Sequence, residues 1–570
     1  MTGAEPQTRE AAFDMLQDSY YRAALADAIC VEPLLEDLRT AVVAAWLDAM
    51  PNRRRVGFCG CGSLSARLAQ SHRASLDRHA VTFFSTSGEG PDDFHGYPRS
   101  SLTDVLEQEL DSIALMSGTY AQAMREALAG CRATAVLGLD ELCRSNTDEA
   151  TLALALARIN AEADALAARL DAAFPPGSPT VVYLELEPSP PYERFFRALK
   201  DEGLQVVIIS RQYGFPDGRL EAMQARGDVD FIYRGLRFSA FWIMTCRLLT
   251  RRRFGLVLTW YLYCHLRYLD YIMKTSLSPV VIWHDLFLQE YCKIQSFISG
   301  LERVVHLPTE TIVRMDKEIY AATPAVAYRY QDSVVEEFRA ANGLDFAGIR
   351  ILRPVDRSLL TQGNRLPKLS AQTGRTHIAF INALNIDPLL DSDLGWRKAD
   401  VWEFLSMLNP LDMSLSVFNA VDWGTGGYED LEDEARNNPL FDYSPRIDFE
   451  RLVPEISRRD FGWLYRRVDS PQSLRYCQTH LPFSVVGFLN AGLPIIVSRE
   501  LEYIASLVQE WGVGIVLAKD QWHLLPQRIA TFDHEACARN IAAACEELDE
   551  VRQGHKLGSF LLHVMREKRP

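Results

Sequence analysis

Asp460-Phe461-Gly462-Trp463, followed by Leu481-Pro482-Phe483-Ser484-Val485-Val486-Gly487-Phe488-Leu489-Asn490-Ala491-Gly492-Leu493-Pro494-Ile495-Ile496-Val497, is the stretch whose reading decides the fold. Its first part is a short apolar run, the pattern of a buried strand. Residues 483–490 read as a helix that stops at Gly492, and Pro494 then opens a second buried strand. A helix N-terminus facing a cleft offers unpaired backbone N–H groups and the positive end of a dipole, which suits a phosphate.

Working outward, the same strand–helix rhythm fills the C-terminal third. Strands are expected at 377–382, 413–419, 441–445, 460–464, 494–498 and 514–517, with helices at 428–437 and 449–456 between them. A second series starts after the breaker Pro175-Pro176-Gly177-Ser178-Pro179. It has strands at 181–186, 205–210, 280–283, 325–328 and 350–352, and a helix at 192–202 closed by Gly203. A third, shorter series lies upstream: strands at 56–59, 81–84, 111–117 and 133–137, helices at 65–76, 101–109 and 120–128. Alternation at this spacing gives parallel sheets with right-handed crossovers. Residues 9–50 and 148–174 have helical spacing.

The stretch around Pro482 resembles the C-terminal domain of GT-B glycosyltransferases, in particular those of family 4. There a "DFG" strand is followed by "lPfKlfEYlaaGlPvi", and the resemblance covers about 376–530 with the right order of elements. Phe449-Glu450-Arg451-Leu452-Val453-Pro454-Glu455-Ile456 matches the "eeLipeis" helix that precedes the strand. Pro279-Val280-Val281-Ile282-Trp283-His284-Asp285-Leu286 is similar to the "viHaHDl" strand end of the partner domain, and Arg353-Pro354-Val355-Asp356 to its "viyngvD" exit.

The resemblance implies an α/β chain in which two Rossmann-like domains form a GT-B glycosyltransferase, preceded by a helical segment and a small Rossmann-like α/β domain. The expected boundaries are 1–52 (helical), 53–147 (Rossmann-like accessory), 148–177 (connecting helix), 178–370 (acceptor side) and 371–570 (donor side). It also implies a transferase that takes a sugar from a nucleotide-diphosphate donor to a glycan, lipid-linked or protein acceptor, metal-independent and retaining, in bacterial surface glycan or glycoprotein synthesis. Donor contacts fall on Asn382, Phe483, Ser484, Val485 and Gly487. Two departures weaken that assignment. The family's phosphate-binding Lys falls on Ser484 and its donor-binding Glu on Gly487, so this chain has neither charge there. A non-catalytic GT-B scaffold that binds a glycan or a partner is the alternative.

His284 and Asp285, at the carboxyl end of a parallel strand, face the crevice where open α/β sheets bind ligands. The imidazole could deprotonate or orient an acceptor hydroxyl with Asp285 fixing it, or His284 could simply cap the next helix. In the first series, Gly57, Gly60 and Gly62 approximate a dinucleotide fingerprint with Ser65 where the third glycine belongs, and no acidic residue ends the second strand. No tightly bound cofactor is expected, and NAD(P) or a nucleotide is not expected in this domain.

The formal net charge of −15 argues against nucleic-acid binding. The aromatic and arginine-rich stretch 233–274 has two readings: a peripheral contact with an anionic inner-membrane surface, or core helices with snorkelling arginines. The apolar run 254–266 within it is too short to span a bilayer. Eleven cysteines without metal-ligand spacing point to reduced thiols, and the N-terminus has no signal-peptide pattern, so a cytoplasmic protein is expected. No metal site is expected.

Overall fold

The computed structural model describes residues 15–85, 93–116, 121–175, 177–184, 193–211, 219–260, 265–284, 301–302, 305–355, 365–385, 396–420, 422, 427–447, 449–465, 478–479 and 481–567. The chain forms two compact units. The first comprises Met1–Pro175, Ser210–Tyr213 and Arg234–Arg252, and the second the remainder.

The first unit holds a sheet of β1 (Arg55–Cys59), β2 (Ala80–Ser85), β3 (Asp93–Phe94), β4 (Tyr97–Ser101), β5 (Ser112–Leu115) and β6 (Ala135–Gly138). The order is β3-β4-β2-β1-β5-β6, parallel except for the β3–β4 pair. The expected helix at 101–109 is instead the end of β4 and a 3-10 segment, Leu102–Glu107, started by a Ser101–Asp104 capping box. Around the sheet lie the helices Ser19–Val31, Glu36–Ala49 and Glu149–Ala173.

The helix Phe238–Arg251 also belongs to this unit. It packs on Glu149–Ala173 and Ser19–Val31, and buries Phe241, Trp242, Ile243, Met244, Leu248 and Leu249. Arg247 and Arg251 pair with Asp164, and Arg252 with Asp171 at 3.0 Å. Of the two readings of 233–274, these contacts fit core helices: Phe241, Trp242 and Tyr268 are buried, and Arg247, Arg251 and Arg252 face acidic residues, while Phe238 stays exposed. Tyr261 and Tyr263 lie outside the described residues. No helix among the described residues is long and apolar enough to cross a membrane.

The second unit contains two sheets. One has β7 (Thr180–Leu184), β8 (Gln205–Ser210), β9 (Phe231–Arg234), β10 (Leu256–Trp260), β11 (Val280–His284), β12 (Ala325–Tyr328) and β13 (Ala347–Arg350), in the order β13-β12-β11-β10-β7-β8-β9. The other has β14 (His377–Asn382), then β17 (Ser414–Asn419), β18 (Phe441–Ser444), β19 (Phe461–Leu464), β20 (Ile495–Ser498) and β21 (Gly514–Leu517), in the order β18-β17-β14-β19-β20-β21. A two-stranded ribbon, β15 (Leu384–Asn385) with β16 (Trp396–Arg397), stands beside it. Counted within each sheet, the orders read 3-2-1-4-5-6-7 and 3-2-1-4-5-6, the doubly wound pattern that leaves a crevice beside its first strand.

Both faces of the last sheet are covered. Along β14, Ala379 and Ile381 enter one core with Val485 and Phe488, while Ile378 and Phe380 enter the other with Phe404 and Trp463. Two-sided burial explains why these strands read as unbroken apolar runs.

The two sheets of this unit are tied by the last helix, Glu550–Glu567, which lies on the helix Glu193–Asp201 of the first of them. Gly554 permits the close approach: a Cβ there would meet Phe195 O at 2.6 Å and Ala198 Cβ at 2.8 Å. His555 Nδ1 and Ser559 Oγ both engage the Glu202 carboxylate, at 2.8 and 2.7 Å.

Candidate functional site

The helix Phe483–Asn490 crosses the sheet at its switch point, where β14 and β19 are neighbours. Two glycines set its height. A Cβ on Gly462 in β19 would run into the Phe488 ring, 2.5 and 2.6 Å from Cδ1 and Cδ2, and a Cβ on Gly487 would stand 3.2 Å from Ile381 Cδ1 on β14. The helix therefore rests directly on both switch-point strands. It ends at Gly492, whose φ of +68° closes the turn while Leu493 N–H donates to Phe488 O at 2.9 Å.

Helices in such sheets run against their strands, so the Phe483 end lies toward the strands' carboxyl ends. Pro482 occupies the cap position, and among the described residues no side chain caps the helix start. Ser484, in that first turn, is 2% exposed, and its hydroxyl has no hydrogen-bond partner among the described residues. Asn382, the last residue of β14, likewise has its buried side-chain Nδ2 without a partner. A buried polar atom left unpaired costs roughly 1–3 kcal/mol, and the switch-point crevice has two. The Arg353 guanidinium lies 5.3 Å from the centre of the Phe483 ring.

The structure thus assembles Asn382, Phe483 and Ser484 at one end of the sheet. Val485 and Gly487 share the helix, but the Val485 side chain is spent on the core. Val485 has only backbone to offer a ligand, and the Gly487 carbonyl is taken up by Ala491 N–H at 3.1 Å. The Val485 N–H also donates to Pro482 O at 3.3 Å.

A polar network that sequence reasoning missed holds the turn after Asn382. Leu384 N–H donates to Asn419 Oδ1 at 3.1 Å, and Asn419 Nδ2 donates to Tyr443 Oη at 3.0 Å. Tyr443 in turn donates to Asp422 Oδ2 at 2.8 Å, and Tyr428 donates to the Leu384 carbonyl. Burial drives the Tyr443 phenol well above its ordinary pKa, so it stays a donor. The signal in sequence was Asn419, an amide closing the buried strand Ser414–Asn419.

In the first sheet of this unit, His284 is the last residue of β11, paired with Tyr328 of β12. Its side chain, and Asp285 entirely, lie outside the described residues. Around that strand end, Trp260 and Trp283 pack with centroids 5.9 Å apart, and Arg329 lies 4.6 Å over Trp260.

In the first unit the fingerprint glycines play unequal parts. Gly57 sits within β1, where a Cβ would meet Leu110 and Phe84 at 2.9 and 3.0 Å. Gly60 has a φ of +112°, and Gly62 caps the helix Ser63–Ser71. Ser65, where the third glycine was sought, donates its hydroxyl to the Gly60 carbonyl and closes the turn. At the end of β2, Arg99 donates to Ser85 Oγ at 2.9 Å.

Two doubly wound sheets in one unit, with the last helix returning to the first of them, match the GT-B arrangement that the sequence resemblance implies. Residues 402–563 match the model of the family "Glucosyltransferase 3-like, C-terminal domain" (Gtf3). That span contains the Phe483–Asn490 helix and most of the returning helix. No curated protein matches the chain. Among solved structures, a glycosyltransferase from Rickettsia africae ESF-5 is similar at 11% identity and a TM-score of 0.45, covering 69% of this chain and 100% of that one. A UDP-forming trehalose-phosphate synthase from Burkholderia vietnamiensis is similar at 12% identity and a TM-score of 0.37, covering 90% and 99%.

Proposed function

We propose that the protein transfers a sugar from a nucleotide-diphosphate donor to an acceptor in surface glycan or glycoprotein synthesis. The observation that carries this reading is the uncapped helix N-terminus at the switch point, with the unpaired Ser484 Oγ and Asn382 Nδ2 beside it. First-turn N–H groups of Phe483, Ser484 and Val485 would hold the diphosphate, and Asn382 a neighbouring oxygen of the donor. Gly487 would act indirectly, by letting the helix sit close on β14 and so fixing where its N-terminus meets the donor. The helix dipole would stabilise the departing diphosphate without a metal ion.

The acceptor, a glycan, lipid-linked or protein hydroxyl, would enter at the carboxyl end of β11. His284 would take or orient its proton, with Asp285 fixing the imidazole. A retaining reaction would then need no protein nucleophile. No cofactor takes part in this scheme, and the Gly57–Gly62 turn serves the first unit as structure. A cytosolic location fits the cysteines, since Cys30, Cys59, Cys143 and Cys537 are buried thiols rather than disulfide halves.

Thermal unfolding with UDP, GDP and ADP at millimolar concentration tests the donor site. One of the three should raise the midpoint, because a ligand that binds only the folded state stabilises by RT ln(1 + [L]/Kd). Ser484→Pro should abolish the shift: proline is tolerated in a first helical turn but removes one phosphate-binding N–H. No shift with any of the three would count against the transferase. The alternative, a non-catalytic scaffold, is favoured by one observation. Gly487 brings no carboxylate to the site, and its Cβ position is hemmed by Ile381.

A further inference from the structure

We infer that Arg353 supplies the positive charge of the donor-diphosphate site, from the segment joining the two sheets rather than from the helix itself. The inference rests on the donor site proposed above and names the cation that it otherwise lacks. Ser484 is neutral, and backbone N–H groups alone offset a diphosphate's charge less well than a guanidinium or ammonium does.

The backbone on both sides of Arg353 is fixed. Leu352 N–H donates to Gln553 Oε1 at 3.2 Å, and Val355 N–H donates to Leu548 O at 2.8 Å. Val355 also forms a parallel bridge with Asp549, and Pro354 restricts φ between the two anchors. Leu352 and Val355 enter the same core as Val485, Phe488 and Leu489, so the segment and the site helix share one packed interior.

From this base the Arg353 guanidinium reaches the Phe483 ring, with its carbon 5.3 Å from the ring centre. Phe483 is the first residue of the helix, whose start has no side-chain cap among the described residues. An aromatic ring attracts a guanidinium placed beside it, and the guanidinium's forked N–H groups suit two phosphate oxygens at once. Phe483 thus acts as the seat for the arginine, and the arginine is a specificity-determining residue for the diphosphate part of the donor.

The test is isothermal titration of the full chain with UDP, GDP and ADP, each compared with its nucleoside. Arg353→Met should weaken the nucleotide that binds wild type by about tenfold or more, leave its nucleoside unchanged, and reduce the dependence of affinity on salt. Arg353→Lys should recover part of the loss, and Phe483→Leu should show a smaller loss of the same salt-sensitive kind. Equal diphosphate affinity in wild type and Arg353→Met would overturn the inference while leaving the donor site standing. Equal losses for diphosphate and nucleoside would overturn it too, because the residue would then be acting on the fold. Failure of wild type to bind any of the three would overturn the donor site and the inference together.

Discussion

Gly462→Ala is a single added methyl aimed at the contact that sets the height of the site helix. The new Cβ would overlap Phe488 Cγ and stand 2.5 and 2.6 Å from Cδ1 and Cδ2. Carbon atoms prefer about 3.5–4.0 Å, so ring and strand must separate by roughly 1 Å. The ring has nowhere to go, because Phe488 is fully buried among Leu464, Ile495, Val497 and Ile504. The helix must therefore lift off β19. Overpacking of this kind costs about 1–3 kcal/mol, and the upper end is expected because a rigid ring rather than a flexible chain is struck. Replacing a strand glycine returns only roughly 0.5–1 kcal/mol. Lifting the helix also moves Ser484 away from Asn382, so nucleotide affinity should fall with stability.

Hydrogen exchange of peptides covering 461–464 and 483–490 is the suitable assay, since it reads the opening free energy of this sheet rather than of the whole chain. Phe488→Leu alone should cost about 1–2 kcal/mol by leaving a cavity. The double variant Gly462→Ala/Phe488→Leu should cost less than the sum of the two, because the smaller side chain makes room for the methyl. Unchanged protection in Gly462→Ala, or strictly additive effects, would refute the claim that this contact positions the helix.

Two further outcomes follow from buried polar groups in the same sheet. Lys368 donates to Arg459 O at 2.5 Å, and burial pulls its ammonium down to about 8. The unfolded chain holds that proton up to about pH 10.4, so wild type should gain stability as pH rises from about 8 to 10. Lys368→Met should lack that gain, as read by urea unfolding at the two pH values. Asn490 is fully buried, and neither amide atom has a partner among the described residues. Asn490→Leu, nearly isosteric, should stabilise by about 1 kcal/mol or more in the same urea assay, without changing nucleotide affinity.

The sequence alone determined the α/β alternation, because two-sided apolar runs such as 377–382 and 494–498 and breakers such as Gly492 and the 175–179 proline cluster are local chemical facts. It also placed the helix that starts at Phe483, and Ser484 on it. It did not determine which apolar run pairs with which. Residues 254–266 look alike as helix or strand by composition, and only sheet pairing makes Leu256–Trp260 the strand between β7 and β11. For Arg247, Arg251 and Arg252 the sequence left membrane surface and core helix both open, and Asp164 and Asp171, remote in sequence, stand opposite them. The site divides the same way. Its backbone was legible, because a helix start is written in adjacent residues. Arg353 over Phe483 and the Asn419–Tyr443–Asp422 clamp were not, because each joins residues from separate elements that only tertiary packing brings within reach.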